Sequence, residues 1–269
     1  MRLNRRREAL KSDTCCRCGV CWLLMVLGMC LSGAGLFAQE GKKEDVLAIK
    51  QISEEAVKAM AAAKKGAAAG GSGDVYQRIC MNCHGDKGQG NVQLRTPSIA
   101  GLPDWYIMAQ LKKFKSRLRG AHEKDLTGAQ MHAIAMSLSE DQMKSAAEII
   151  TRMPLIATQN TLKGDAAKGM YIYMDFCMAC HRYNGSGEVA LRSGQLVGLQ
   201  DWYMLGQLEK FRAGIRGADR KDEDGMRMRE SASRLRDKDL ANVLAYIAQL
   251  AQQYVGELNA AAGKTTGGK

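Results

Sequence analysis

Cys80-Met81-Asn82-Cys83-His84 comes back 97 residues later as Cys177-Met178-Ala179-Cys180-His181. Moving outward from the two motifs, the same shift keeps its register without a gap. Tyr76 falls on Tyr173, Arg95 on Arg192, Gly101-Leu102 on Gly198-Leu199, and Asp104-Trp105-Tyr106 on Asp201-Trp202-Tyr203. Further on, Gln110-Leu111 falls on Gln207-Leu208, Phe114 on Phe211, Arg119-Gly120 on Arg216-Gly217, and Leu138 on Leu235. Agreement at one fixed offset over most of a domain marks a duplicated unit, so the chain carries two copies of one fold.

Neither copy alternates apolar and polar residues as a half-buried strand does; the apolar spacing is helical and is broken by glycine-rich loops. Helices are expected over 74–83, 104–119 and 140–153, and over 165–180, 201–215 and 237–254. In the middle helix of the first copy Trp105, Met108, Leu111 and Leu118 share a face, with Lys112, Lys113 and Lys115 mostly off it. Ser139 and Gln142 have capping-box spacing at the start of the last helix, which Pro154 ends. The fold class is all-α, with domains over 74–153 and 169–254, an interdomain linker over 154–168 and a flexible tail over 255–269.

Two cysteines separated by two residues and followed by histidine form the attachment pattern of a c-type haem, in which the thiols add to two vinyl groups and the histidine binds iron. At a helix end this spacing brings both sulfurs to one side and carries the next residue beneath the metal. A structural disulfide, a zinc site or a redox dithiol needs no histidine there, and none explains it twice. The other axial ligand follows by elimination. The chain has four histidines, and the second copy holds only His181. His122 and His132 fall on Asp219 and Arg229, outside any shared design. Among methionines, the pairs Met81 with Met178 and Met131 with Met228 obey the offset, and the first pair is tied to the proximal side within the motif. Met131 and Met228 are therefore the expected distal ligands, with Met226 as the rival of Met228, while Met136, Met143 and Met204 read as packing. The expected cofactors are two covalently bound haems, held by Cys80, Cys83, Cys177 and Cys180, with His84, Met131, His181 and Met228 on the metals. No catalytic residue is assigned, because axial positions filled by protein leave no site for a reactant.

Arg2, Arg5, Arg6, Arg7, Lys11 and Arg17 precede an apolar run over 20–31 and then small residues, an export pattern. Residues 1–38 read as a signal peptide or, since 20–38 is just long enough to cross a bilayer, an N-terminal membrane anchor. Cys15, Cys16, Cys18 and Cys21 include CxxC spacings, but no histidine follows and the apolar run leaves no room for a ligand cage. Residues 39–73 read as a helical spacer and linker, with Val46, Ile49, Ile52, Ala56 and Met60 on one face. The expected location is periplasmic, soluble or held at the outer face of the inner membrane. The formal net charge is +11. Lys112, Lys113, Lys115, Arg117 and Arg119, with Lys210, Arg212 and Arg216, make the middle helices either a docking face for an acidic redox partner or an ordinary solvated surface. Nucleic acid is not an expected partner of an exported chain with few aromatic signals.

With both motifs, Pro97-Ser98-Ile99-Ala100-Gly101, Asp104-Trp105-Tyr106, and a methionine ahead of Leu138-Ser139-Glu140-Asp141, the chain resembles class I cytochromes c. More specifically it resembles the dihaem cytochrome c4 family, over residues 73–252. The resemblance implies two class I domains in pseudo-twofold arrangement, with haem propionates facing one another. It also implies electron transfer from a quinol-oxidising complex to a terminal oxidase. In that family a proline carbonyl holds the second ring nitrogen of the proximal histidine; Pro97 matches, and Gly194 stands at the other place without the stiff ring. The long segment before residue 73 departs from the family. Besides a diffusing or tethered electron shuttle, the reading keeps a fixed electron-transfer subunit of a periplasmic dehydrogenase or oxidase complex. A dihaem peroxidase is disfavoured by a methionine above each iron.

Overall fold

The structure, a computed structural model, describes residues 75–266, with side chains to residue 259. The expected leader and spacer lie outside the described residues. No helix among the described residues is long and apolar enough to cross a membrane.

The first copy opens with a π-helical turn, Tyr76–Cys80, that runs directly into α1, Met81–His84. Helix α2 is Asp104–Lys115, α3 is Leu126–Ser137 and α4 is Glu140–Arg152. The second copy repeats the order with α5, Ala166–Phe176, α6, Met178–His181, α7, Asp201–Arg212, α8, Glu223–Ser233, and α9, Asp237–Thr266. Among the described residues there is no strand, only the isolated bridges Asn91 with Thr96 and Glu188 with Ser193 that pinch the loop after each motif.

Local chemistry explains most boundaries. The Ser139 hydroxyl accepts from the Gln142 N–H while the Gln142 side chain accepts from the Ser139 N–H, so both halves of the capping box are made. Met143, Ala146, Ala147 and Ile150 then bury one stripe of α4, and the helix ends ahead of Pro154. The middle helices stop earlier than expected, at Lys115 and Arg212, because left-handed residues follow: Arg117 at φ 63° and Gly214 at φ 68°. The buried face of α2 is Ile107, Leu111 and Phe114 together with Gln110 and Lys113, so it is turned from the expected stripe. Helix α9 continues past residue 254 into the stretch expected to be a flexible tail.

Helices α3 and α8 were not expected, and they carry Met131 and Met228. Each is started by an aspartate, Asp125 or Asp222, whose carboxylate accepts from the N–H three residues on. Each lies against the turn that follows the middle helix. A Cβ on Gly120 or Gly217 would sit 2.2 Å from the carbonyl oxygen of Gly128 or Gly225, which is why Arg119-Gly120 and Arg216-Gly217 keep their glycines.

One hydrophobic core runs through both copies, including Ile107, Leu111 and Leu138 on one side and Met204, Leu208 and Leu235 on the other. Residues 154–165 do not hang free between the copies. The buried Thr158 hydroxyl donates to the Leu199 carbonyl at 2.7 Å, and the fully buried Asp201 carboxylate accepts from the N–H groups of Thr161 and Leu162 at 2.5 and 2.9 Å. Asp104, its counterpart, is exposed.

Contacts between the copies come in pairs related by the repeat offset, as a pseudo-twofold axis requires. Lys113 donates to Asp222 at 2.5 Å, and Lys210 donates to Asp125 at 2.6 Å. Lys113 also bonds to Asp224 and Lys210 to Thr127. These contacts change the reading of the middle-helix charges. Lys113, Arg119, Lys210 and Arg216 are used between the copies, Lys112 pairs with Glu140, Arg212 pairs with Asp237, and Lys115 bonds to the Leu138 carbonyl. Lys113, Arg119, Lys210 and Arg216 are therefore enclosed between the copies, whereas Lys112 and Arg117 remain at the surface.

Candidate functional site

Each copy encloses one deep cleft, about 1460 Å³ in the first and about 1230 Å³ in the second, open mouth included. The floor is the motif helix. Cys80, Cys83 and His84 line the first cleft, and Cys177, Cys180 and His181 line the second. Tyr76 braces the motif by donating to the Gly85 carbonyl at 2.6 Å, as Tyr173 does to the Arg182 carbonyl at 2.7 Å. Thr96 bonds to the Cys83 carbonyl and Ser193 to that of Cys180, closing the loop onto the helix.

His84 Nδ1 lies 2.8 Å from the Pro97 carbonyl oxygen, and His181 Nδ1 lies 2.8 Å from that of Gly194. A carbonyl can only accept, so each Nδ1 carries the proton and each Nε2 keeps its lone pair for a metal. Burial also lowers both imidazole pKa values, against the opposing carbonyl contact, which keeps the rings neutral. The equal distances answer the concern about Gly194. A Cβ there would lie 2.4 Å from the Tyr106 ring, so the residue is glycine because a side chain from the other copy fills the space. Burial, then the neighbouring thiol, push Cys80 and Cys177 up to about 12, so both are neutral thiols.

The roof comes from α3 and α8. Met131 lines the first cleft and Met228 the second. Met226 is exposed and lines neither cleft; Met204 lines the second, at the place Ile107 occupies in the first. Met81 and Met178 pack on the core outside both clefts. His132 bonds to the Phe114 carbonyl and His122 accepts from the Lys124 N–H, local roles away from the clefts.

The wall shared by both clefts was not recognised as a site from sequence. Tyr106, Gln110, Tyr203 and Gln207 line both clefts. The Gln110 side-chain oxygen accepts from Arg119 at 2.7 Å and Arg216 at 3.1 Å, and that of Gln207 accepts from Arg216 at 2.8 Å and Arg119 at 3.0 Å. Arg119 also donates to the Tyr203 hydroxyl at 2.8 Å, and the guanidiniums stack on Phe114 and Phe211 at 4.4 and 4.5 Å. Burial would raise the Tyr203 phenol, yet Arg119 and Arg216 outweigh it and hold it below its ordinary value. No carboxylate of the described residues lies within ion-pair distance of Arg119 or Arg216; Asp125, which lines the first cleft and acts on Arg119 from farther off, is paired with Lys210. The signal was the repeat itself, since all six residues recur at the offset.

Apolar walls, a thiol pair, a neutral imidazole with a free lone pair, a thioether and a guanidinium with no carboxylate in ion-pair reach fit a porphyrin that carries vinyl groups, iron and two carboxylates. Matches to the Cytochrome c family model over residues 68–151 and 166–251 decide the assignment. The chain belongs to the cytochrome c family. It is a dihaem member of the c4 kind, an electron-transfer protein whose two domains carry two covalently bound c-type haems.

Among relatives, a cytochrome c4 from Thiocapsa roseopersicina is 31% identical over 65% of this chain and 88% of its own. A thiosulfate dehydrogenase electron acceptor from Stutzerimonas stutzeri is 28% identical over 66% of this chain and 82% of its own. The crystal structure of reduced cytochrome c4 from Pseudomonas stutzeri superposes with a TM-score of 0.53 at 26% identity, covering 67% of this dihaem cytochrome and 98% of that chain.

Proposed function

We propose that each cleft holds its haem through the cysteine pair and closes both axial positions, with His84 and Met131 on one iron and His181 and Met228 on the other. The observation that carries this reading is the meeting of two cysteines, a histidine and a methionine in each cleft at one repeat offset. Cys80, Cys83, Cys177 and Cys180 would hold the haems by adding their S–H groups across the vinyl double bonds, an addition that would consume no oxidant. The haems supply reversible one-electron chemistry when bound. Pro97 and Gly194 keep the imidazoles oriented, and Arg119 and Arg216, held by Gln110 and Gln207 at the shared wall, would meet the haem carboxylates. An electron can thus cross from one domain to the other while the closed coordination excludes reactants.

The working place is outside the cytoplasm, supported by the export pattern and the covalent haem chemistry. The partners are redox proteins of a respiratory chain, a quinol-oxidising complex as donor and a terminal oxidase as acceptor. A second role, as the electron-accepting subunit of a dehydrogenase, is favoured by the relative named for thiosulfate dehydrogenase. The test of ligation is the weak band at the red edge of the oxidised spectrum. Met131→Ala and Met228→Ala should each remove half of it and Met226→Ala none; loss on Met226→Ala would overturn the assignment.

A further inference from the structure

The proximal contacts are equal in length but not equally supported. Pro97 C=O and Ser98 N–H belong to one peptide unit, and that unit is planar and stiff. Its carbonyl accepts from His84 Nδ1 at 2.8 Å, while its N–H donates to the Gln200 side-chain oxygen at 2.7 Å. Gln200 belongs to the second domain. The NH₂ of the same amide donates to the Gln89 carbonyl at 2.8 Å, so one side chain ties both sides of the first domain's haem loop. Gln200 is the N-cap residue of α7, yet its side chain makes no capping bond, leaving the amide committed to the other domain.

Among the described residues the reciprocal arrangement is not made. The repeat counterpart of Gln200 is Pro103, whose ring has neither donor nor acceptor. At Gly194, whose carbonyl serves His181, the Tyr106 ring fills the space where a Cβ would stand. From this asymmetry we infer that Gln200 is a positioning residue for the first domain's haem, acting across the domain interface through the Pro97–Ser98 peptide. Accepting from the N–H polarises the peptide and makes its carbonyl the better acceptor, as hydrogen bonds in a chain strengthen one another. A stronger acceptor raises the basicity of the histidine below the metal, and a more basic ligand stabilises the oxidised iron. The first haem therefore has a lower potential than its own domain alone would set, while the second receives no such adjustment.

The inference rests on His84 as the proximal ligand, and its test separates the two. Full-chain protein labelled with ¹⁵N-histidine contains only four such residues, so the His84 and His181 ring N–H signals can be told apart by variants. Gln200→Leu should shift the His84 Nδ1–H resonance toward weaker hydrogen bonding and raise the midpoint potential of one haem. The His181 resonance, the other potential and the haem content should stay as they are. Gln200→Glu retains an acceptor for the Ser98 N–H, although it loses the donor to the Gln89 carbonyl, and should bring the His84 resonance back toward its native position. Unchanged His84 in Gln200→Leu, or equal shifts of both histidines, would overturn the inference. His84→Ala retaining an unaltered low-spin first haem would instead overturn the ligand assignment.

Discussion

Replacing Lys113 by methionine should uncouple the domains at a buried ion pair. The Lys113 side chain is 11% exposed and its partners Asp222 and Asp224 are 2% and 18% exposed, so the substitution leaves two sheltered carboxylates without their cation. Breaking such a pair from one side costs about 3–5 kcal/mol. The lower end applies here, because the Asp222 carboxylate still accepts from the Gly225 N–H at the start of α8, where the helix dipole favours an anion. A loss of about 3 kcal/mol corresponds to a fall in Tm of about 6–12 °C for a unit of this size. Thermal unfolding of the haem-loaded protein, followed by far-ultraviolet circular dichroism at fixed salt, measures it. Lys112→Met is the internal control: the Lys112–Glu140 pair has side chains 55% and 70% exposed, and its loss should leave Tm close to that of the unsubstituted protein. In Lys113→Met/Asp222→Asn the combined loss should fall short of the sum by about 1–3 kcal/mol. A Lys113→Met variant no less stable than Lys112→Met would refute the claim that this bond joins the domains.

Acid should narrow the gap between wild type and Lys113→Met. Burial would raise the Asp224 carboxyl, but the Lys113 bond outweighs it and holds the group below its ordinary value. That contribution is therefore present above the unfolded value of about 3.9 and lost as pH falls through the lower folded value, so the two unfolding curves should converge below about pH 4. Gly194→Ala should force the Tyr106 ring aside and cost about 1–3 kcal/mol, seen as a lower Tm with both haems still attached. Ser139→Ala removes one arm of the capping box and should cost about 1 kcal/mol in denaturant unfolding, with no change in either haem spectrum.

Helices α3 and α8 show where reading the chain by pattern reached its end. The stretch Leu126-Thr127-Gly128-Ala129-Gln130-Met131-His132-Ala133-Ile134-Ala135-Met136-Ser137 is apolar on most sides and has a glycine in its first turn, so it lacks the one-sided stripe that marks a surface helix. Its aspartate cap, repeated as Asp222 before α8, was the available signal. The distal methionines could still be named, because the offset constrains residue identity without any knowledge of the element that carries them. Lys113 failed for the opposite reason. Its spacing reads as a solvated face, and only the approach of α8 from the other domain buries it.

Duplication, helix class and the chemistry of the thiol–histidine motifs were determined by sequence alone, since covalent attachment needs particular atoms at particular separations along one helix. Tertiary structure decided what the two copies do to each other. Pro97 and Gly194 differ in sequence yet hold their histidines at the same distance, whereas Gln200 supports one of those contacts and Pro103 cannot support the other. Such differences arise from side chains a hundred residues apart that meet only when two domains pack, and no local periodicity records that meeting.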